Sequence, residues 1–401
     1  MINIGSVYAH KGTVYFLYTK KKCYICVEII SNLIFEQPLY INKGRDMKQN
    51  ERIRIKDIAR QAGVSVGTVD RVLHDRSGVS EASRKKVEEI LRQLDYQPNM
   101  YASALASNKK YSFVCLIPQH EAGEYWDDVE NGFWSCIHEY SDFNISLSIE
   151  YYDQYSSGSF AQAGLHLLQS SPDGMVIAPT ERTETEILTA ELHRLNIPFV
   201  FIDSNIPELR PLTFYGQHAS QSGYFAARMM KLMAGECNEI VLFRQIADSR
   251  LGSNQQLHRE EGFQAYLAQH SFRLRTWEMN LDPKNPSRNE EALDEFFNRH
   301  PDVSHGITFN SKAYIVGEYM MRHRRTGFHL MGYDLLKRNV DCLRKGYIDF
   351  IIAQQPTLQG FSCVESLCNH LILRKPICEC NYIPIHLLSV ENIEFYLSEH
   401  K

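Results

Sequence analysis

No window of this 401-residue chain approaches the ~18 consecutive apolar residues that a membrane-spanning helix needs. The most apolar early stretch, Cys23 to Phe35, is too short and contains Glu28. Behind Lys20–Lys22 it imitates a signal peptide, but it stands far from Met1 and no small-residue cleavage site follows it. The ten cysteines lack regular spacing beyond Cys23/Cys26 and Cys378/Cys380, and one isolated C-x-x-C without a second such pair or nearby histidines is a weak zinc signal, so no metal is expected. They read instead as reduced, mostly buried thiols of a cytoplasmic protein. Catalytic signatures are missing too. There is no G-x-x-x-x-G-K-[ST] loop, no G-x-G-x-x-G after a strand, no G-x-S-x-G elbow, and no H-E-x-x-H among sixteen histidines.

What is present is an asymmetry of charge. The chain as a whole carries a formal −5. Residues 52–110 hold 12 Lys/Arg against 7 Asp/Glu, a net +5, and residues 1–51 hold 7 against 4. The remaining 291 residues are therefore at −13. A small basic block on a large acidic body is the pattern of a nucleic-acid-binding module joined to something else.

The first 46 residues carry aromatic and β-branched runs without clear turn signals. Met47-Lys-Gln-Asn-Glu-Arg reads like a natural start, so the expectation is that Met47 initiates the protein and that residues 1–46 are a doubtful extension. From Ile55 the pattern turns helical: Ile55, Ile58, Ala59 and Ala62 make one apolar stripe. Gly63 supplies a turn and Ser65 an N-cap. A second helix is expected from Val66 to about Leu73, with Val66, Val69, Val72 and Leu73 inward. After a loop, Ser80 caps a third, Glu81 to about Leu94, turning Val87, Ile90, Leu91 and Leu94 to the same core. Three short helices with a glycine turn between the first two make a helix-turn-helix over residues 53–97. The small-residue run 98–110 reads as a linker helix too poor in apolar surface to stand alone.

From Tyr111 the chain alternates strands and helices. Strands are expected at Phe113–Pro118, Ser146–Tyr151, Gly174–Pro179, Pro198–Asp203, Glu239–Phe243, Leu274–Met279, Gly306–Phe309, His329–Gly332 and Asp349–Ala353. Amphipathic stretches such as Gly132–Tyr140, Glu184–Leu195, Ser222–Ala234, Glu261–Gln269 and Ala313–Arg322 lie between them. Such alternation implies open parallel sheets covered on both faces. Two sheets fit the length of 111–401 better than one, with a ligand cleft at the strand C-terminal ends.

Three blocks carry a resemblance: Ile55-Lys-Asp-Ile-Ala-Arg-Gln-Ala-Gly-Val-Ser-Val-Gly-Thr-Val-Asp-Arg-Val-Leu73, Val79-Ser-Glu-Ala-Ser-Arg-Lys-Lys-Val87 and Leu94-Asp-Tyr-Gln-Pro-Asn99. They resemble the DNA-binding headpiece of the lactose/galactose repressor family. The body resembles that family's type I periplasmic-binding-protein-like domain. The resemblance implies an all-α helix-turn-helix headpiece plus a two-lobed α/β sensor. It also implies a homodimer on a near-palindromic double-stranded operator, a small-molecule effector that is most simply a carbohydrate, and no enzymatic activity, membrane or cofactor. The alternative kept beside it is a sugar-metabolising, kinase-like enzyme with a regulatory headpiece.

For the headpiece, the second helix should enter a major groove. The first positions it presents are Val66 and Gly67, where the family often carries larger polar residues. Thr68 is left for backbone or thymine-methyl contact and Arg71 for guanine, while Ser65 can donate to phosphate. The resemblance adds Asn99 and Leu105, the latter a wedge for the minor groove. Ser103 stands where the family usually has Arg. In the body it points to Tyr125 and Trp126 as stacking platforms in a strand-to-helix loop, and to Asp203, Arg259, Asn310, Asp334 and Gln355 as polar ligands. Carboxylates, amides and a guanidinium satisfy polyol hydroxyls by paired hydrogen bonds, and an aromatic ring covers the apolar sugar face. Arg259 would equally suit a carboxylate or phosphate ligand.

Overall fold

A computed structural model describes residues 54–73, 76–94, 96, 101, 104, 109–179, 181–235, 239–247, 250–270 and 274–399. Ahead of them it describes a two-stranded antiparallel ladder, β1 (Leu17–Thr19) with β2 (Lys22–Tyr24). The expected boundary at Met47, Asn99, Ser103 and Leu105, and most of the linker helix, lie outside the described residues. The chain divides into two compact units, Met1–Gln97 and Pro98–Lys401.

Among the described residues of the first unit three helices form, Ile55–Ala62, Val66–Leu73 and Glu81–Gln93. Gly63 ends the first in a left-handed conformation (φ 66°) that a side chain would strain. Ser65 Oγ accepts from the Thr68 amide at 3.1 Å, and Ser80 Oγ accepts from the Ser83 amide at 3.2 Å. Ile58, Ala59, Ala62, Val69, Val72 and Val87 are buried together, with Ile90, Leu91 and Leu94 packed against them. Val66 is the exception to the expected inward stripe. As the first helical residue it projects beyond the small core and is half exposed, at 50%.

The second unit holds two parallel sheets. The first lobe carries β3 (Tyr111–Pro118), β4 (Ile145–Tyr152), β5 (Gly174–Ile177), β6 (Phe199–Ile202), β7 (Thr213–Gly216) and β14 (Asn381–Tyr382), in the order β14-β7-β6-β5-β3-β4. The second carries β8 (Glu239–Ala247), β10 (Arg275–Leu281), β11 (His305–Thr308), β12 (His329–Tyr333), β13 (Phe350–Ala353) and an antiparallel edge strand, β15 (His386–Leu388). Its order is β10-β8-β11-β12-β13-β15. Central strands such as Gly174–Ile177 and Phe199–Ile202 are buried at every position, because helices cover both faces and leave no polar side to alternate with.

All nine expected strands form, with shifted ends. The segment expected at Glu239–Phe243 runs on to Ala247, because its last residues pair with β9 (Arg250–Leu251) in a hairpin. β7, β14 and β15 were not anticipated; they are two to four residues long. Helices begin earlier than their apolar stripes: Tyr125–Glu139, Arg182–Leu195, Ala219–Ala234 and Asn254–Gln269.

The chain passes between the lobes three times. It leaves the first lobe after β7, at Gln217, and returns after β13, so that the helix Pro356–Leu367 packs on Tyr125–Glu139. After β14 it crosses once more, to β15. In each lobe the helix that follows a crossing touches a site-bearing helix backbone to backbone. A Cβ on Gly360 would stand 2.1 Å from the Val129 carbonyl oxygen, and one on Gly223 1.8 Å from that of Arg259, so only glycine permits either approach.

Candidate functional site

The lobes enclose a cleft of about 1020 Å³, lined from both sides by strand ends and helix starts. Six of the seven expected ligand residues border it, and four of them, Asp203, Arg259, Asn310 and Asp334, do so in the anticipated setting. Tyr125 and Trp126 are not in a loop. They are the first two residues of the helix Tyr125–Glu139, whose acidic first turn (Asp127, Asp128) favours helix there. Both still line the cleft, their rings edge-to-face with centroids 5.1 Å apart. Gln355 does not line it. It begins the helix Pro356–Leu367 in a left-handed conformation (φ 54°), and its side chain meets Tyr396. The preceding residue takes the place expected for it: Gln354 is buried in the cleft wall and donates from Nε2 to Asp334 Oδ1 at 2.7 Å.

Asp203 and Asp334 occupy matching places in the two lobes. Each directly follows a central strand, each is left-handed (φ 67° and 70°), and each is buried. Burial pushes Asp203 up to about 6 and Asp334 up to about 7. Arg259 opposes the rise in both cases, helped by hydrogen bonds from Tyr125 and Ser204 to Asp203 and from Gln354 to Asp334. Arg259, 2% exposed, lies with its guanidinium carbon 4.0 Å from the centroid of the Tyr333 ring. Its Nη1 donates to the Phe309 carbonyl at 2.9 Å, while Nε and Nη2 have no protein partner. Asn310 donates from Nδ2 to Gln256 Oε1 at 3.0 Å and accepts the Lys312 amide on Oδ1 at 2.8 Å, which fixes its carboxamide at the cleft edge.

Sequence reasoning missed a glutamine cluster. Gln245, Gln255 and Gln256 line the cleft, and Gln245 Nε2, Gln255 Oε1 and Gln354 Oε1 are buried without partners. Gln255 stands four residues before Arg259, one helical turn away on the same face, and that spacing could have found it. Buried polar atoms left unpaired are costly, and here three of them belong to glutamines that line one cleft.

Among the described residues three ion pairs bridge the cleft: Glu124–Lys312 at 2.5 Å, Asp153–Lys284 at 3.0 Å and Glu181–Arg250 at 2.9 Å. Every acid belongs to the first lobe and every base to the second.

In the headpiece, Ser65, Val66, Gly67 and Arg71 are exposed on one end and face of the second helix. Thr68 is half-buried, its Oγ1 2.9 Å from Ser65 Oγ. Asp70 pairs with Arg76 at 3.3 Å, and Arg71 makes no ion pair among the described residues. A Cβ added at Gly67 would meet nothing closer than Ser65 Oγ at 3.8 Å, so the fold does not require glycine there.

Residues 54–99 match the model of the bacterial regulatory proteins, lacI family, and residues 113–375 match the periplasmic binding protein domain. A crystal structure described as a LacI transcriptional regulator from Bacteroides fragilis is 49% identical, with TM-score 0.70, covering 72% of this chain and all of that one. The chain belongs to the lacI family. This lacI-family chain is also 33% identical over 154 residues to catabolite control protein A of Streptococcus mutans, covering 38% of this chain and 44% of that protein. To the sucrose operon repressor of Staphylococcus xylosus it is 27% identical over 280 residues, or 67% of this chain and 79% of the repressor. Against the first of these curated relatives it thus aligns over less than half of their length. The fold alone is shared with a solute-binding protein from Burkholderia graminis in complex with D-arabinose, 17% identical with TM-score 0.63, covering 72% of this chain and 98% of that one.

Proposed function

We propose that this chain is a cytoplasmic transcriptional regulator, a repressor, whose operator affinity is set by a neutral sugar bound between the lobes. The supporting observation is the buried Arg259 between Asp203 and Asp334, edged by glutamines with unpaired polar atoms. One guanidinium against two carboxylates leaves the cleft floor with surplus negative charge above pH 7. That set suits the paired hydroxyls of a polyol and opposes a uronic acid or sugar phosphate. Tyr125 and Trp126 supply the apolar platform.

The headpiece reads DNA with Arg71 toward a base and Ser65 and Thr68 toward phosphate, while Val66 and Gly67 leave the helix tip small. Two chains pair on a near-palindromic operator, as two-fold geometry requires of a dimer carrying two headpieces. A ligand that binds the closed cleft more tightly than the open one shifts the lobes, and the operator response is bounded by that difference in affinity. Among the described residues no three His, Cys, Asp or Glu side chains are grouped to hold a metal, and the reading uses none.

The test selects an operator from random duplexes and follows its binding to the full chain by fluorescence anisotropy across a panel of neutral, acidic and phosphorylated sugars. A neutral sugar that shifts operator affinity supports the reading. Operator binding that no sugar moves would leave the headpiece reading standing and refute the sensor. Hydrolysis of ATP that depends on a sugar would favour the kinase-like alternative.

A further inference from the structure

The same arginine is tied to the place where the lobes are hinged. Gln217, the residue of the first crossing, is 1% exposed and uses all of its amide. Its Nε2 donates to the Ala353 carbonyl at 3.3 Å and to the Pro384 carbonyl at 3.2 Å. Ala353 stands at the second crossing and Pro384 within the third, so one side chain binds all three strands of the hinge. Its Oε1 accepts from Ser222 Oγ at 2.7 Å, and Ser222 Oγ lies 3.3 Å from Tyr333 Oη. A serine hydroxyl has one proton. With that proton given to Gln217 at the shorter distance, Ser222 accepts the proton of Tyr333 at the longer one. The Tyr333 ring in turn carries the Arg259 guanidinium 4.0 Å from its centroid. The four side chains of this series, Gln217, Ser222, Tyr333 and Arg259, are all buried.

We infer that Tyr333 is a positioning residue with two faces, its ring orienting Arg259 in the cleft and its hydroxyl reporting that orientation through Ser222 to Gln217 and the hinge. Ring and hydroxyl are one rigid body. A guanidinium drawn toward a ligand therefore tilts the phenol and moves the hydroxyl against Ser222. Ser222 sits in the first turn of the helix Ala219–Ala234, whose Gly223 touches the Arg259 backbone, so side chain and main chain follow the same route. The series is a contiguous physical connection of the kind that carries coupling when both ends have two arrangements. The inference rests on the reading of the cleft as a ligand site, but its test needs no ligand.

Amide hydrogen exchange of the full chain reports the hinge at two protons: the Ile383 amide, bonded to the Gly216 carbonyl at 2.9 Å, and the Ser222 amide, bonded to His218 at 2.8 Å. Arg259→Met should speed both by on the order of 10-fold, although neither amide touches the arginine side chain. Tyr333→Phe keeps the ring and removes the hydroxyl, and should speed them similarly. In the double variant the two effects should not add, the arginine change contributing less than about 2-fold once the hydroxyl is gone. Arg259→Lys, which keeps the charge over the ring, should give a smaller acceleration and serves if the methionine variant does not fold. If Tyr333 were merely packing, Tyr333→Phe would leave the arginine effect at full size. Unchanged exchange in both arginine variants, or effects that multiply fully in the double variant, would overturn the inference. Because no sugar is added, a cleft that binds no sugar would be detected separately and would leave this result intact.

Discussion

On the proposed function, the two aspartates give ligand binding in the cleft a pH dependence that can be worked out in advance. Asp334 stands at about 7 and Asp203 at about 6, each raised chiefly by burial and pulled back by Arg259. The groups facing them are Arg259, Tyr125, Asp128, Ser204 and Gln354. Sugar hydroxyls donate most strongly to ionised carboxylates, so the bound state favours deprotonation and both apparent values fall on binding. Affinity must then rise with pH and level off a little above 7. For a ligand that binds only the doubly ionised pair, lowering the pH to 5 protonates Asp334 by two units and Asp203 by one. The limit is a loss of on the order of 10³-fold, or about 4 kcal/mol, expressed as two macroscopic steps of a coupled pair. At pH 7 binding should release roughly 0.6 of a proton, mostly from Asp334.

Isothermal titration of the full chain with the sugar identified by the operator assay, at pH 5, 6, 7 and 8 in buffers of different ionisation heat, measures both quantities. The empty protein should show the opposite slope. A carboxyl whose folded value exceeds its unfolded one binds more protons when folded, so these two groups add stability as the pH falls from above 7 toward 4 and withdraw it as the pH rises. Affinity that is flat from pH 5 to 8, with no proton release at pH 7, would refute the assignment of these carboxylates to the ligand.

Three further expectations concern other parts of the molecule. Reversing Lys284 to Glu breaks its cross-cleft pair with Asp153; the two side chains are 52% and 31% exposed, so the loss should be small. About 0.2–1 kcal/mol, or roughly 1.4- to 5-fold in sugar affinity, is expected, with recovery in the charge-swapped Asp153→Lys/Lys284→Asp chain measured by titration. Gly67→Ala should raise the thermal midpoint of the headpiece, because the position is helical, sterically open and gains up to ~1 kcal/mol of helix propensity; a fall in the midpoint would count against it. Arg71→Ala should weaken the selected operator by ~1–3 kcal/mol in anisotropy titrations and relax the preference at one base pair, and an unchanged ratio of selected to random DNA would exclude base readout.

The sequence was most informative where a residue's role is local. Gly63, Ser65 and Ser80 announced their helix ends because caps and left-handed turns select residue types directly. The central strands were legible for the same reason, as short apolar runs between polar turns. The cleft was half legible. Asp203, Arg259, Asn310 and Asp334 stand where they were expected, since strand ends and helix starts are visible in the chain. Gln354 and Gln355 show the limit: adjacent side chains leave the backbone in different directions, and a left-handed φ at the second decides which one enters the cleft. Gln217 was invisible. Its importance comes from Ala353 and Pro384, more than 130 residues away, and nothing in its neighbourhood marks a hinge. The edge strands β14 and β15 were missed because they contribute only two and three residues to ladders whose other members lie far away in sequence.

The threefold crossing also orders events in time. The helix Pro356–Leu367, which backs the helix bearing Tyr125 and Trp126, leaves the ribosome only after the whole second sheet up to β13. At about 5–20 residues per second, roughly 8–30 s separate the end of β7 from the arrival of that helix. During this interval Gly132 and Val129 present a naked groove on an unfinished lobe, while the headpiece, made of contacts within its own unit, already has all it needs to fold. On the proposed function, a nascent chain acquires its reader of DNA before its sensor, and a ribosome stalled near residue 353 would display a headpiece that no sugar could govern.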